Sequence, residues 1–468
     1  MSKGRNRRFY ELLIITSPLL LLSACSITQK ISRSAKEDVL NNKALAAAHV
    51  GISIFDPAAN KYLYNYQGDK YFVPASNTKL PTCYAAMKHL GDSLVGARYM
   101  IRGKQVDIFG TGDPTFLYPD FKFQPVYDFA KSMKGNAVYI VQNQADFQKF
   151  KVFSNYTKYK KYGKGWNWDD YEESYMPEKS FFPLYGNTVK FSITDSDSLL
   201  ITPKYFNDIS WWDKNELNLF EVHRDIHGNK FYVSGYKKNT EVSIPFSTSY
   251  SYSAKIFEPN VIGALLSDTL GYKVTEASTG PQFKGVGWYE KNYYGIIHSQ
   301  PTDSLLKPMM HRSDNFFAEQ CLVMVSNEML GYHFSQEVID SLLKTDFSDL
   351  PQKPRWVDGS GLSRYNLFTP QDFVTILNKM RNDFGMDRIK VILATGGEGT
   401  LSNYYKADSG YIYGKTGTLS GVVAFSGFLY TKKGKLLIFS TLVNNNTGSA
   451  TDVRRAIEKF LTGLRSQF

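Results

Sequence analysis

Strand-patterned segments stand near both ends of this 468-residue chain, with a long stretch of different texture between them. At the front, "HVGISIFDPAANKYLYNYQGDKYFVPAS" (49–76) gives two strand-like runs around a turn at "DPAAN". At the back, "GYIYGKTGTLSGVVAFSGFLYTKKGKLLIFSTLVNN" (410–445) reads as two or three antiparallel strands, followed by a terminal helix over "ATDVRRAIEKFLTGLRSQF". Apolar strands cannot stand alone, so the two ends are expected to share one sheet. That makes an α+β domain whose sheet joins the front to the back.

The middle is less uniform. From 96 to 268, short strand-like runs such as "KQVDIFG", "NAVYIVQ", "TVKFSI", "SLLITP" and "KFYVSGY" alternate with Gly, Pro, Asn and Asp turns. This stretch reads as a largely β insertion. Helical spacing returns at 258–271, 302–331, 335–346 and 369–383. The expected division is therefore a catalytic domain of 37–95 with 269–468, interrupted by an accessory domain of 96–268.

The first 24 residues stand apart from the fold. Lys3, Arg5, Arg7 and Arg8 precede the apolar run "LLIITSPLLLL", which is too short for a comfortable membrane span. "LSAC" follows, and a small residue before Cys25 is similar to a bacterial lipoprotein signal, with a plain secretory signal or short anchor as the alternative. On this reading residues 1–24 are removed, the Cys25 thiol carries lipid, and 25–36 form a tether. Ser26 is not the acidic residue that retains lipoproteins at the inner membrane, so the resemblance implies a periplasmic protein anchored to the outer membrane.

The net charge is +11, but no basic cluster with interleaved aromatics suggests nucleic-acid binding. Beyond Cys25 only Cys83 and Cys321 remain, both in apolar helical stretches. They could pair in an oxidising compartment, but buried free thiols fit such surroundings better. No Cys/His spacing suggests a metal site, and no cofactor motif is present.

Chemistry enters at "PASNTKLPTCYAAMKHLG" (74–91), a helix with Pro81 in its first turns and Gly91 as its stop. Ser76 and Lys79 lie three apart, hence on one face. A serine hydroxyl needs a base, and a lysine serves only if burial or a neighbouring cation suppresses its charge. S-x-x-K alone is weak evidence, because it also occurs at Ser234, Ser304 and Ser341. Its companions make it specific: Ser313, Asp314 and Asn315 in "HRSDNFF", and Lys415, Thr416, Gly417 and Thr418 in "GKTGTLSG". S-x-x-K, S-D-N and K-T-G in this order mark the penicillin-binding proteins and class A β-lactamases.

Each residue has an expected role. Ser76 attacks a carbonyl and Lys79 accepts its proton. Ser313 relays a proton to the leaving amine, while Asn315 holds a substrate amide and the Lys79 amine. Lys415 is a second cation that keeps Lys79 uncharged and attracts a carboxylate, to which Thr416 and Thr418 offer hydroxyls. Gly417 lets the strand edge approach the ligand. The backbone N–H groups of Ser76 and Thr418 form the oxyanion hole.

The fuller set of motifs resembles the low-molecular-mass class C penicillin-binding proteins, the D-Ala-D-Ala carboxypeptidase/endopeptidases of peptidase family S13. "PASNTKL", "RSDNFFAEQ", "VDGSGLSRYNLFTP" (357–370), "GGEGTL" (396–401) and "GKTGTLSGVVAFSGF" carry it, together with "GTGDPTF" and "GWNWDDY" in the insertion. The resemblance implies a β-lactamase/transpeptidase-like domain, hydrolysis of peptidoglycan stem peptides through an acyl-serine, and acylation of Ser76 by β-lactams. It also implies a substrate-carboxylate role for Arg364, against which stands a structural ion pair. Asp358, Gly359 and Ser360 read as turn-shaping residues. Asp169 and Asp170 read as an exposed loop, and Asp314 as structural. Two other functions share parts of the pattern. A β-lactamase needs a deacylating glutamate that spacing does not identify here. A non-catalytic wall-binding protein need not keep all of Ser76, Lys79, Ser313, Asn315 and Lys415.

Overall fold

A computed structural model describes residues 28–141, 160–217, 219–248, 252–253, 256–257, 261–277 and 294–467. The leader 1–24 and Cys25 lie outside the described residues. The chain divides into two compact units. One comprises residues up to 80, 350–355 and 366 onward; the other comprises 81–349 and 356–365.

The first unit is built on a six-stranded antiparallel sheet. Its order is Ala394–Thr395, Ile412–Leu419, Val422–Tyr430, Leu436–Asn444, His49–Asp56 and Lys61–Tyr66. The two ends of the chain do meet in one sheet: His49 pairs with Asn444 and Phe55 with Ile438. Strands Val422–Tyr430 and Leu436–Asn444 are buried along nearly their whole length, as continuous apolar runs require when both faces are covered. Helix Ala450–Gln467 covers one face through Val453, Ile457, Phe460 and Leu464, which join Val50, Ile52, Ile54, Phe425 and Phe439. The opposite face meets helix Pro370–Ile392. There a methyl group on Gly51 would stand 2.8 Å from the Pro370 ring. That helix starts with a reciprocal cap, Thr369 accepting from the Asp372 amide and Asp372 from the Thr369 amide.

A tether is expected over 25–36, but residues 28–35 are helical and Ile31 and Ala35 are fully buried in this same core. Their apolar side chains match the face of helix Ala450–Gln467, and that packing orders the segment.

The second unit holds a five-stranded sheet in the order Val274–Ala277, Ala137–Val141, Gln105–Gly110, Ser93–Arg102 and Tyr294–Pro301. Two three-stranded sheets add Leu199–Thr202, Thr188–Ile193 and Glu241–Pro245, and Ser210–Leu217, Phe231–Tyr236 and Phe220–Arg224. The expected strands of the insertion are present, and helix Pro125–Ser132 lies among them. Helices Thr302–His311, Asn315–Leu330 and Ser335–Lys344 complete the unit. The boundary differs from the one the sequence suggests, and buried Gln320 gives the physical reason. Its side chain accepts from the Ser180 amide and donates to the carbonyls of Gly112 and Ser180, tying helix Asn315–Leu330 to inserted segments. The apolar run 302–331 reads as one helix but forms two, because Ser313 takes φ +61 and Asp314 starts the second helix as its cap.

Candidate active site

In the first unit Ser76 lies in the turn before helix Lys79–His89, and Lys79 opens that helix. Ala75–Thr78 form a 3₁₀ turn, and buried Ala75 sits at φ +47, a conformation that costs a non-glycine residue about 1–3 kcal/mol. The turn is held from several sides. The Thr78 hydroxyl donates to the Ala75 carbonyl at 2.9 Å. The Asn77 amide donates to Ser426 Oγ at 2.6 Å, and Ser426 in turn to Ser440 at 2.8 Å, deep in the sheet.

This geometry brings Lys79 Nζ to 3.0 Å from Ser76 Oγ. Lys79 and Lys415 are both 0% exposed. Burial, and then the nearby Lys79, push the Lys415 ammonium well below the ordinary lysine range. The repulsion is mutual, so the pair resists carrying two charges. Lys415 Nζ also donates to the Thr416 carbonyl at 2.7 Å. The K-T-G strand passes the serine at close range. A methyl group on Gly417 would stand 2.7 Å from the Pro74 carbonyl oxygen, 3.0 Å from the Ser76 nitrogen and 3.1 Å from the Asn77 nitrogen.

The threonines have partners that spacing did not reveal. Thr416 Oγ1 donates to Thr400 Oγ1 at 2.7 Å, giving a contact to the "GGEGTL" segment. Thr418 Oγ1 accepts from Arg454 Nη2 at 2.7 Å. Thus Ser76, Lys79, Lys415, Thr416, Gly417 and Thr418 gather in one unit.

Ser313, Asn315 and Arg364 belong to the other unit. Ser313 occupies the left-handed turn between two helices. Asp314 Oδ1 accepts from the Phe317 amide at 2.9 Å, which accounts for it as a cap. Asn315 Nδ2 donates to the Tyr175 carbonyl at 3.1 Å. Arg364 is exposed on the loop 356–365, whose shape Asp358 sets. Buried Asp358 accepts from the amides of Gly361 and Ser363 and from the Trp166 ring nitrogen, at 2.9, 2.6 and 2.8 Å. Beside it Glu319 accepts from the Ser360 amide at 2.8 Å. Burial, then the charge of Asp358, raise the Glu319 carboxyl to about 7. Asp169 and Asp170 stay in an exposed 3₁₀ turn. Cys83 and Cys321 are buried and form no disulfide. Among the described residues no cluster could hold a metal ion, and no helix is long and apolar enough to cross a membrane.

The arrangement of the first unit is that of an activated serine: a hydroxyl against a buried amine, with a strand edge at its backbone. A D-alanyl-D-alanine carboxypeptidase of Actinomadura sp. (strain R39) is 24% identical across 93% of this chain and 87% of its own. The fold is similar to penicillin binding protein 4 from Haemophilus influenzae, with a TM-score of 0.66 at 19% identity over 93% of this chain and 98% of that one. It is also similar to a predatory peptidoglycan endopeptidase from Bdellovibrio bacteriovorus, with a TM-score of 0.50 at 13% identity over 90% and 93%. The profile of one family matches residues 33–464, nearly the whole described chain, and on that ground this protein belongs to the D-Ala-D-Ala carboxypeptidase 3 (S13) family.

Proposed function

We propose that this chain is a serine-type D-alanyl-D-alanine carboxypeptidase/endopeptidase that cleaves peptidoglycan stem peptides through an acyl-serine and is acylated by penicillin at the same serine. The observation that carries this reading is Lys79 Nζ, fully buried and 3.0 Å from Ser76 Oγ. In its neutral form the Lys79 amine takes the Ser76 proton as Oγ attacks the carbonyl of the penultimate D-Ala. The oxyanion is stabilised by the backbone N–H groups of Ser76 and Thr418. The amide C–N bond then breaks, and the amine of the terminal residue leaves with a proton. Water hydrolyses the ester and restores the serine. A β-lactam undergoes the same attack, with its ring amide as the broken bond.

Roles for Ser313 and Asn315 are supported by the S-D-N motif: Ser313 relays the proton to the leaving amine, and Asn315 holds a substrate amide. Arg364 is read as a contact to a substrate carboxylate, supported by its place in "GLSRYN". Lipid attachment at Cys25 and a periplasmic site at the outer membrane rest on the basic and apolar leader before "LSAC". Radiolabelled palmitate incorporated by wild type but not by Cys25→Ala supports the anchor, and equal labelling of both refutes it.

Intact-protein mass after penicillin treatment, with D-Ala release from a stem pentapeptide, tests the central reading. Wild type gains one penicillin mass and releases D-Ala. Ser76→Ala does neither. Lys79→Met stays folded but is acylated roughly 10²–10⁴-fold more slowly, the usual contribution of a general base. Fast penicillin turnover without a lasting adduct would point to a β-lactamase instead. Acylation of Lys79→Met at the wild-type rate sinks the base assignment.

A further inference from the structure

The three-stranded sheet Ser210–Leu217, Phe231–Tyr236 and Phe220–Arg224 has one face in the core, through Val222, Phe231 and Val233. Its other face turns to solvent, because side chains alternate along each strand. Register sets Tyr232 beside Trp211 on one side and His223 on the other. Trp211 is 70% exposed and Tyr232 47% exposed. A single exposed apolar residue is ordinary, but two large rings on adjacent strands, about 5 Å apart, make a continuous platform. The neighbouring Trp212 points the opposite way, and its ring nitrogen donates to the Gly235 carbonyl at 3.0 Å. By contrast, among the described residues neither the Trp211 ring nitrogen nor the Tyr232 hydroxyl has a hydrogen-bond partner.

The next row of the same face is polar and acidic. There the register sets Ser234 beside Asp213 and Glu221, both exposed. A pyranose ring has a flat face of C–H groups and a rim of hydroxyls. The C–H face rests on an aromatic ring, and the rim needs hydrogen-bond partners at that ring's edge. This sheet offers both: rings that keep an N–H and an O–H for a ligand, and carboxylates that accept from hydroxyls. The carboxylates also repel anions, which disfavours the acid end of a stem peptide or a phosphate polymer as occupant. A neutral sugar strand meets no such opposition. Peptidoglycan, on which the proposed reaction takes place, consists of stem peptides hung on sugar strands.

We propose that the Trp211–Tyr232 face binds the sugar strand of peptidoglycan, giving the second unit a hold on the polymer that is separate from the chemistry at Ser76. The choice of a sugar strand rests on the peptidoglycan reading of that serine. In the test, full-length wild type, Trp211→Ala, Tyr232→Ala and Trp211→Phe are sedimented with purified insoluble peptidoglycan after penicillin treatment, which keeps the serine from contributing. Each alanine variant should bind about 2- to 10-fold more weakly, the range of one aromatic contact. Trp211→Phe should keep most of the affinity. A soluble oligomer of β-1,4-linked N-acetylglucosamine, which carries no stem peptide, should displace wild type from the pellet. D-Ala release from a soluble pentapeptide, measured without penicillin, should stay at the wild-type rate in every variant. Alanine variants that sediment like wild type overturn the proposal. So does a sugar oligomer that fails to displace, and stem peptides that displace in its place would make this face a peptide site. Displacement of wild type needs no variant, so it decides the matter even if an alanine variant fails to fold. Failure of the serine reading looks different: wild type then gains no penicillin mass and releases no D-Ala, while displacement by the sugar oligomer still reports on this face.

Discussion

Gly417 lies so close to Ser76 that one methyl group on its α-carbon would stand 3.0 Å from the Ser76 backbone nitrogen. The neighbours are backbone atoms, including the Pro74 carbonyl at 2.7 Å, and cannot turn aside as a flexible side chain can.

Gly417→Ala should therefore push the strand Ile412–Leu419 away from the serine turn. Overpacking of this kind costs about 1–3 kcal/mol, and a displacement of about 1 Å at a reacting centre costs about 10²-fold in rate. We expect a folded protein with a modestly lower Tm and penicillin acylation slowed by about two orders of magnitude. Stopped-flow acylation beside a thermal melt checks both, and an unchanged acylation rate would show that the close approach is not needed.

Lys415→Met should raise stability while removing activity. The buried ammonium is held well below its ordinary pKa, so at neutral pH the unfolded chain binds a proton that the folded chain resists. The contribution of Lys415 to stability therefore rises with pH up to about 10.4, the ordinary lysine value. The variant lacks this dependence. It should be more stable by about 1–3 kcal/mol near neutrality, with the gap narrowing as pH rises. Urea melts across that range measure it; a gap that widens with pH contradicts the burial of charge at Lys415.

His333 predicts acid sensitivity in the second unit. It is buried against Phe181, and burial, then Arg98, lower its pKa to about 3. As pH falls below about 6.5 the unfolded chain takes up a proton while the folded chain does not. Stability is thus lost between about 6.5 and 3, by at most about 4–5 kcal/mol from this one group. His333→Phe should flatten that part of the stability profile. Denaturant melts at neutral and acidic pH would show parallel curves for wild type and variant if the ring were protonated in the fold.

Legibility followed the range of the interactions. Strands Val422–Tyr430 and Leu436–Asn444 announced themselves because burial on both faces demands unbroken apolar runs. Ser76 and Lys79 were legible because one helical turn joins them. The break at Ser313 was hidden inside a 30-residue helical pattern and shows locally only in the Ser-Asp-Asn cap. Thr400 and Arg454 could not be found by spacing: they reach the K-T-G strand from a separate turn and from the terminal helix. The placing of helix Asn315–Leu330 depended on Gln320, whose partners lie far off in sequence and have no periodic signature.

The pairing of His49–Asp56 with Leu436–Asn444 also governs when activity can begin. A growing chain presents Ser76 early, but the strand that abuts it is synthesised over three hundred residues later. Until then the nucleophile's half-built sheet has an open edge, and closing it requires contacts between segments far apart in sequence, such as His49 with Asn444, which form slowly. Chain order therefore acts as a timer: a wall-cutting serine stays unarmed until the strands Ile412–Leu419 and Leu436–Asn444 have been made.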